Sequence, residues 1–334
     1  MTEKIGVSYG TLTLLGLNNA RPLARPTTAH FLLGENCVYS CKFCSQASSS
    51  DCSQNMLSRI TWPQKPWSEI GEPLAEAIAS GAVKRICLQV VEAPGATPAA
   101  LALARKICAI SSVIPVSVCV TPSSVSRVRL LIEAGASTVG LPVDVASSSL
   151  HEQIKGRGFH DTWEVLRKAS EMWPGRISTH FIAGLGETEE DIVSCIAKAY
   201  DLGITVGLFA FTPVRGTLMQ DAPAPSLSSY RRVQLAAYCL SKGGSLDWIE
   251  FRDGRVFGIT IPDRALISDI QKGIPFETSG CSHCNRPYYN ERPGQAPMNY
   301  PRPLTAAEAQ DCLLESELDI SRLKLSGKGK EANR

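Results

Sequence analysis

The chain has 334 residues, 44% hydrophobic and 20% charged, a globular composition with ample material for a core. Its 34 Lys plus Arg against 32 Asp plus Glu leave a formal charge of +2, too little field to draw nucleic acid or an anionic membrane surface, so neither is an expected partner. No apolar run reaches the length of a membrane span, about 18 residues, and the stretch over 5–17 is broken by Ser8, Tyr9, Thr11 and Thr13 with no small-residue cleavage site behind it. A cytoplasmic location is therefore expected, where the 12 cysteines read as including metal ligands rather than as a disulfide framework.

Residues 1–28 read as an N-terminal arm. Short β-rich runs then alternate with helical patterns, beginning with AHFLLGE (29–35), a helix near 67–80, RICLQVV (85–91), a helix near 98–111, PVSVCVT (115–121) and a helix near 123–134. STVGLPV (137–143), a helix near 160–172, RISTHFI (176–182), a helix near 188–202, TVGLFAF (205–211) and a helix near 226–241 continue the alternation. SLDWIEF (245–251), a helix near 262–272 and IPFETSG (274–280) complete eight candidate strands. Such alternation predicts an α/β fold, a (β/α) barrel of TIM type, complete or slightly open, over 29–280. Thr188 before a Glu-rich turn and Gly203 after it mark the two ends of one helix, and Gly135 ends another. Residues 281–322 read as an irregular loop followed by a C-terminal helix, and 323–334 as a disordered basic tail.

The sharpest feature is NCVYSCKFCSQ, where Cys37, Cys41 and Cys44 are spaced C-x3-C-x2-C directly after the first candidate strand. In a barrel that is the C-terminal face, where catalytic groups sit. A structural zinc site wants four protein ligands, and the fourth would come from Cys52 or a distant residue. A four-iron cluster held by three thiolates instead keeps one iron free to bind something else.

This loop, with the aromatic Phe43 just before its third cysteine, resembles that of the radical S-adenosylmethionine enzymes. The resemblance implies a [4Fe-4S] cluster on Cys37, Cys41 and Cys44, with S-adenosyl-L-methionine chelating the open iron and cleaved by one electron to a 5′-deoxyadenosyl radical. IAGLGETEEDI (182–192) is similar to the segment after the fifth strand in the biotin and lipoyl synthase branch. LPVDVASSSLHEQIKGRGFHDTWEVLRKA resembles the segment that contributes a ribose-side or substrate-side Asp and an Arg near the methionyl carboxylate, by position Asp144 and Arg157. Thr212 to Arg215 would line the same mouth, and Glu92 would stand near the methionyl amine, although the usual G-G-E pattern is absent.

Biotin synthase holds an auxiliary cluster with cysteines on strands two, three and five and an arginine near strand seven. Cys87 and Cys119 fall on the matching strands, but Ser178 and Glu250 occupy the other two positions, so the pair reads as ordinary buried thiols. A second thiol set lies in SGCSHCNRPYYNE, where Cys281 and Cys284 form a C-x2-C after the last candidate strand and are expected on the same catalytic face, with His283, Tyr288 and Tyr289 beside them. Cys312, Cys52 or a non-cysteine group would complete that site; a zinc-bound or free pair is the competing reading. This C-terminal motif resembles lipoyl synthases that act as two separate proteins. It implies an auxiliary [4Fe-4S] cluster on Cys281 and Cys284, with Cys312 the candidate for a further ligand, as sulfur donor, and insertion of sulfur into an octanoylated carrier protein, a lipoyl domain or the glycine-cleavage H protein. The implied partners are a second radical lipoyl synthase and an electron donor such as ferredoxin or flavodoxin. His180 reads as a hydrogen-bonded core residue.

Overall fold

The computed structural model describes residues 4–286 and 295–318; Tyr288, Tyr289 and the basic tail lie outside the described residues. The arm is part of the fold: β1 (Lys4–Val7) is followed by α1 (Tyr9–Leu14) and β2 (Thr28–Leu33). Two short strands, β3 (Met56–Leu57) and β4 (Ile60–Thr61), and then β5 (Gln64–Pro66) lead into α2 (Trp67–Ala79). The regular alternation follows as β6 (Arg85–Val90), α3 (Ala96–Ile110), β7 (Val116–Cys119), α4 (Val125–Glu133) and β8 (Thr138–Gly140). It continues through α5 (Ser148–Lys155), α6 (Phe159–Met172), β9 (Ile177–Ala183), α7 (Glu189–Asp201), β10 (Thr205–Ala210) and α8 (Leu227–Ser241). The hairpin β11 (Ile249–Arg252) and β12 (Arg255–Ile259), then α9 (Arg264–Gln271) and α10 (Ala306–Glu315), complete the chain.

One sheet of eight strands runs in the order β10-β9-β8-β7-β6-β2-β1-β5. From β2 to β10 every neighbouring pair is parallel, and β1 joins antiparallel between β2 and β5. β10 does not pair with β5, so the sheet is an open, partial barrel. Among the described residues no helix is long and apolar enough to cross a membrane.

The seventh and eighth expected strands are absent from this sheet. SLDWIEF begins as a 3-10 turn (Leu246–Trp248) and continues as β11, which pairs only with β12. The cause is local: Asp253 (φ 50°) and Gly254 (φ 73°) both take positive φ, the tight Asp-Gly hairpin turn that reverses the chain before it can reach the barrel. Glu250, expected on strand seven, consequently sits in this hairpin, exposed and paired with Arg252 at 2.7 Å. IPFETSG begins as another 3-10 turn (Ile274–Phe276), and its one bridge joins Glu277 to Tyr300.

Alternation along the strands gives the sheet two unlike faces. The outer face is apolar and fully buried under the helices, with Ile86, Leu88, Val116, Val118, Val139, Ile177 and Phe181 all at 0% exposure. The inner face carries His30, Arg85, Cys87, Gln89, Ser117, Cys119, Ser178 and His180, a polar lumen that no core-packing requirement explains. Helix ends follow their sequence signals. At α7 the Thr188 and Asp191 side chains each cap the other's backbone amide, and α4 ends at Gly135 with φ 103°.

Candidate active site

The cysteine loop leaves β2 at the C-terminal edge of the sheet. Gly34 there has φ 85°, and a Cβ would meet Ala96 Cβ and the Val91 carbonyl at 3.0 Å, so only glycine lets the chain turn out against the neighbouring strand. The loop is tied down on two sides: Val38 N donates to Glu92 O (2.8 Å), Lys42 N to Ile154 O (2.9 Å), and Met219 N to Lys42 O (3.2 Å). Within it, Cys44 N donates to Cys41 O (3.0 Å) and Gln46 N to Cys44 Sγ (3.4 Å). Cys37 is held by the backbone amides of Tyr39 and Glu92. Phe43 packs with Val145, Ile154, Leu185 and Phe211 and anchors the loop. Burial raises Cys37 and pushes Cys44 up to about 12, so these thiols surrender their protons only to a cation that binds them.

A cavity of about 210 Å³ opens beneath the loop, lined by Cys37, Cys41, Cys44, Glu92, Asp144 and Arg157 among others. Asp144, beyond the end of β8, sits at φ 62° in an isolated bridge to Phe181, and its N–H donates to His180 O at 2.8 Å. Burial alone would raise its carboxyl, but the charge and hydrogen bond of Lys155 hold it below the usual carboxylate range. Lys155 Nζ donates to Asp144 Oδ2 (2.6 Å) and to the carbonyls of Pro142 and Val143 (3.0 Å each), which uses all three of its protons. Lys155 has no sequence signal, since a lysine in the last turn of a helix is ordinarily a solvated charge.

Arg157 follows the α5 cap, Gly156 (φ 65°). Its guanidinium stacks on Tyr39 at 4.2 Å and its Nη2 approaches Cys41 Sγ at 3.5 Å, while Nε and Nη1 are buried with no hydrogen-bond partner. Gln46 Oε1 is orphaned in the same way. A buried guanidinium with unused donors beside three thiols fits an anionic cluster and an amino-acid carboxylate. Glu92 lines the cavity, but Arg127 takes its carboxylate at 2.5 Å, so its evident task is to position the cysteine loop through its backbone. Glu187 of the G-L-G-E-T segment folds back to accept from Gly184 N (2.7 Å) and Leu185 N (3.0 Å), which makes this motif a turn brace.

The second thiol set does not lie on the same face. The Cys281–Cys284 turn is closed by Cys284 N to Cys281 O at 3.1 Å and is pinned to the N-terminal ends of the strands. Thr27 and Thr28 hydroxyls donate to His283 O (2.7 and 2.6 Å), and Arg85 donates to Ser282 O (2.8 Å) and Ser282 Oγ (2.9 Å). Because no eighth strand carries the chain upward, the segment after the Ile274–Phe276 turn crosses beneath the open barrel, beside a cavity of about 710 Å³. From there it faces the lumen: the Ser117 hydroxyl reaches Cys281 Sγ at 3.7 Å, and Arg286 Nη2 reaches Cys87 Sγ at 4.0 Å.

Cys87 and Cys119, read from sequence as ordinary buried thiols, are in this group. The neighbouring Cys119 lowers the Cys87 thiol against its burial, with Arg286 and Arg85 adding to the effect. Cys312 is elsewhere. It is fully buried in α10 with Ala309 and Leu313, one apolar face at i, i+3, i+4 spacing, and its side-chain partner is Tyr300. Cys52 is tied to Arg215 O at 3.1 Å on the rim, and Thr212 lines the upper cavity. His180 faces the lumen edge-on to Phe209 (5.6 Å), and burial lowers it to about 4, leaving it neutral. Among the described residues no group of three or more His, Cys, Asp or Glu is spaced for a single metal ion. That includes Cys37, Cys41 and Cys44.

The fold is thus a parallel α/β partial barrel with three thiols on the loop after its first parallel strand, at the C-terminal face. The family model of the Radical SAM superfamily matches residues 31–199, just over half of the chain, and the chain belongs to that superfamily. It is thus an enzyme of the radical SAM kind, with a [4Fe-4S] cluster and S-adenosylmethionine as its cofactors. None of the curated proteins matches it. Among solved structures it is similar to HydG, a maturase of the [FeFe]-hydrogenase (TM-score 0.52, 14% identity, 65% of this chain and 50% of that one). Another HydG, from Carboxydothermus hydrogenoformans, aligns over 90% of this chain and 69% of that one (TM-score 0.50, 14% identity). Methylornithine synthase, PylB, gives TM-score 0.51 at 14% identity over 70% of this chain and 72% of that one. The chain spans half the length of the first HydG, and at these identities the likeness concerns the fold.

Proposed function

We propose that this enzyme inserts sulfur into an octanoyl group carried on a lysine of a lipoyl domain or of the glycine-cleavage H protein, one step of lipoyl cofactor synthesis. The observation that carries this reading is the second thiol set, Cys281 and Cys284, seated under the lumen whose other end holds the radical loop. One cluster with S-adenosylmethionine, held by Cys37, Cys41 and Cys44, would supply a 5′-deoxyadenosyl radical, and a second, held by Cys281 and Cys284, would supply a sulfide together with iron able to take up the electron left when the C–S bond forms. An unactivated methylene has no usable acidity, so no general base in this chain takes part in that step.

The protein's own residues bind, orient and exclude water. Arg157 grips the carboxylate of the amino-acid moiety, the Lys155-braced Asp144 accepts from a hydroxyl, and Glu92 and Arg127 fix the loop. Leu32, Val90, Val120, Ile182, Phe209 and Phe211 line the cavity and offer an acyl chain an apolar path toward the lumen. The electron comes from a donor such as ferredoxin or flavodoxin, and a second radical lipoyl synthase would make the other C–S bond; such chemistry belongs in the reducing cytoplasm. The test is anaerobic turnover of an octanoyl-lysyl peptide followed by mass spectrometry. The reading expects a peptide heavier by one sulfur, lost in Cys281→Ala while 5′-deoxyadenosine still forms. An unchanged peptide beside 5′-deoxyadenosine in the unsubstituted enzyme would refute it.

A further inference from the structure

Four thiols from three separate parts of the chain converge on the polar lumen. Cys87 on β6 and Cys119 on β7 lie on the inner face, where Cys87 pairs in register with Ser117, and Cys119 with Gln89. Cys119 is the diagonal neighbour of Cys87 across the β6–β7 pair, and Gln89 Nε2 donates to Cys87 Sγ at 3.0 Å. From below, Cys281 receives the Ser117 hydroxyl, and Cys284 lies within electrostatic reach of both Cys87 and Cys281. Gly140 is the neighbour of Cys119 on β8, and a Cβ there would stand 2.7 Å from Cys119 Sγ, so glycine keeps room beside that sulfur.

A second observation points to an anion at this place. Arg85 is buried, and its hydrogen bonds go only to neutral groups: Ser282 O, Ser282 Oγ and Ser117 Oγ (2.7 Å). A buried cation without a counter-charge is costly. Its charge bears on Cys87, as does that of Arg286.

We propose that Cys87 and Cys119 complete the site begun by Cys281 and Cys284, so that four thiolates close around one four-iron cluster in the lumen. Arg85 and Arg286 supply the positive charge that makes burying this anion tolerable. The assignment takes from the proposed function only the existence of a second cluster. It replaces the sequence expectation that Cys312 is a ligand. With every iron bound to cysteine, this cluster has no open corner and does not bind S-adenosylmethionine, unlike the one on Cys37, Cys41 and Cys44.

The experiment uses the full chain with Cys37, Cys41 and Cys44 all replaced by Ala, reconstituted anaerobically with ferrous iron and sulfide. About four irons and four sulfides per chain are expected, with Mössbauer and X-ray absorption spectra showing sulfur as the only ligand type and no change on adding S-adenosylmethionine. Adding Cys87→Ala or Cys119→Ala to this background should cut the iron content at least threefold, whereas Cys312→Ala leaves it intact. Full iron in both lumen variants, or a nitrogen- or oxygen-ligated iron in the parent spectrum, overturns the assignment. The spectrum of the parent decides the matter even where a lumen variant fails to fold. Neither the radical nor an octanoyl substrate enters, so failure of the lipoyl reading would leave this result standing.

Discussion

Replacing Lys155 with Met probes the brace under the upper cavity. The Lys155 side chain is 1% exposed, and its ammonium meets Asp144 Oδ2 at 2.6 Å and two carbonyls at 3.0 Å. Methionine keeps most of the stem and its packing but removes the cation and all three hydrogen bonds. Removing one partner of a buried ion pair costs about 3–5 kcal/mol. Asp144, with its side chain at 12% exposure, retains some access to water, which puts the expected loss near the lower end, about 3–4 kcal/mol. Equilibrium urea denaturation of the metal-free protein reads it. The pH dependence supplies a second test. Asp144 is lowered in the folded wild type, so its contribution is full above the unfolded value, about 4, and is lost as pH falls through the lowered folded value. Without Lys155, burial dominates and the carboxyl rises, so the variant is relieved by protonation and the gap to wild type narrows from about pH 7 to about pH 5. A loss under about 1 kcal/mol, or a gap that widens toward acid, would refute the reasoning.

Other substitutions separate the remaining parts. Arg157→Lys keeps a charge but loses the planar fork, and should weaken S-adenosylmethionine binding at least about tenfold by calorimetry, with a changed electron paramagnetic spectrum of the reduced cluster because Nη2 stands 3.5 Å from Cys41. Thr188→Ala removes the hydroxyl that accepts from Asp191 N in the α7 capping box, and should cost about 1 kcal/mol in urea denaturation while leaving the iron content unchanged. His180, at about 4, should give no imidazolium signal by NMR at neutral pH, and its titration should appear only near pH 4.

The six central parallel strands were legible in the sequence because each is a short apolar run bounded by turn signals, and the radical loop because three cysteines in so few residues permit few chemistries. The hairpin at Asp253 and Gly254 carried a readable turn signal that the regular alternation of strands and helices overrode. Other features had no local trace. Whether a C-x2-C segment passes over or under a barrel depends on whether a strand before it pairs, and pairing is a property of the whole sheet. Cys87 and Cys119 looked like core thiols because period-two alternation says that a side chain faces inward without saying what comes to meet it. Lys155 and Cys312 show the same limit in opposite senses: a lysine expected in water is buried on Asp144, and a cysteine expected on a cluster fills an apolar helix face.

The central claim is that a radical made at one end of the barrel meets sulfur held in its lumen. Reconstituting the enzyme with heavy-isotope sulfide, removing the excess, and running a single turnover on an octanoyl-lysyl peptide tests it directly. The account predicts that the sulfur in the product is heavy and that iron is released from the lumen site in step with product. A thiolated product carrying only light sulfur from solution would contradict it.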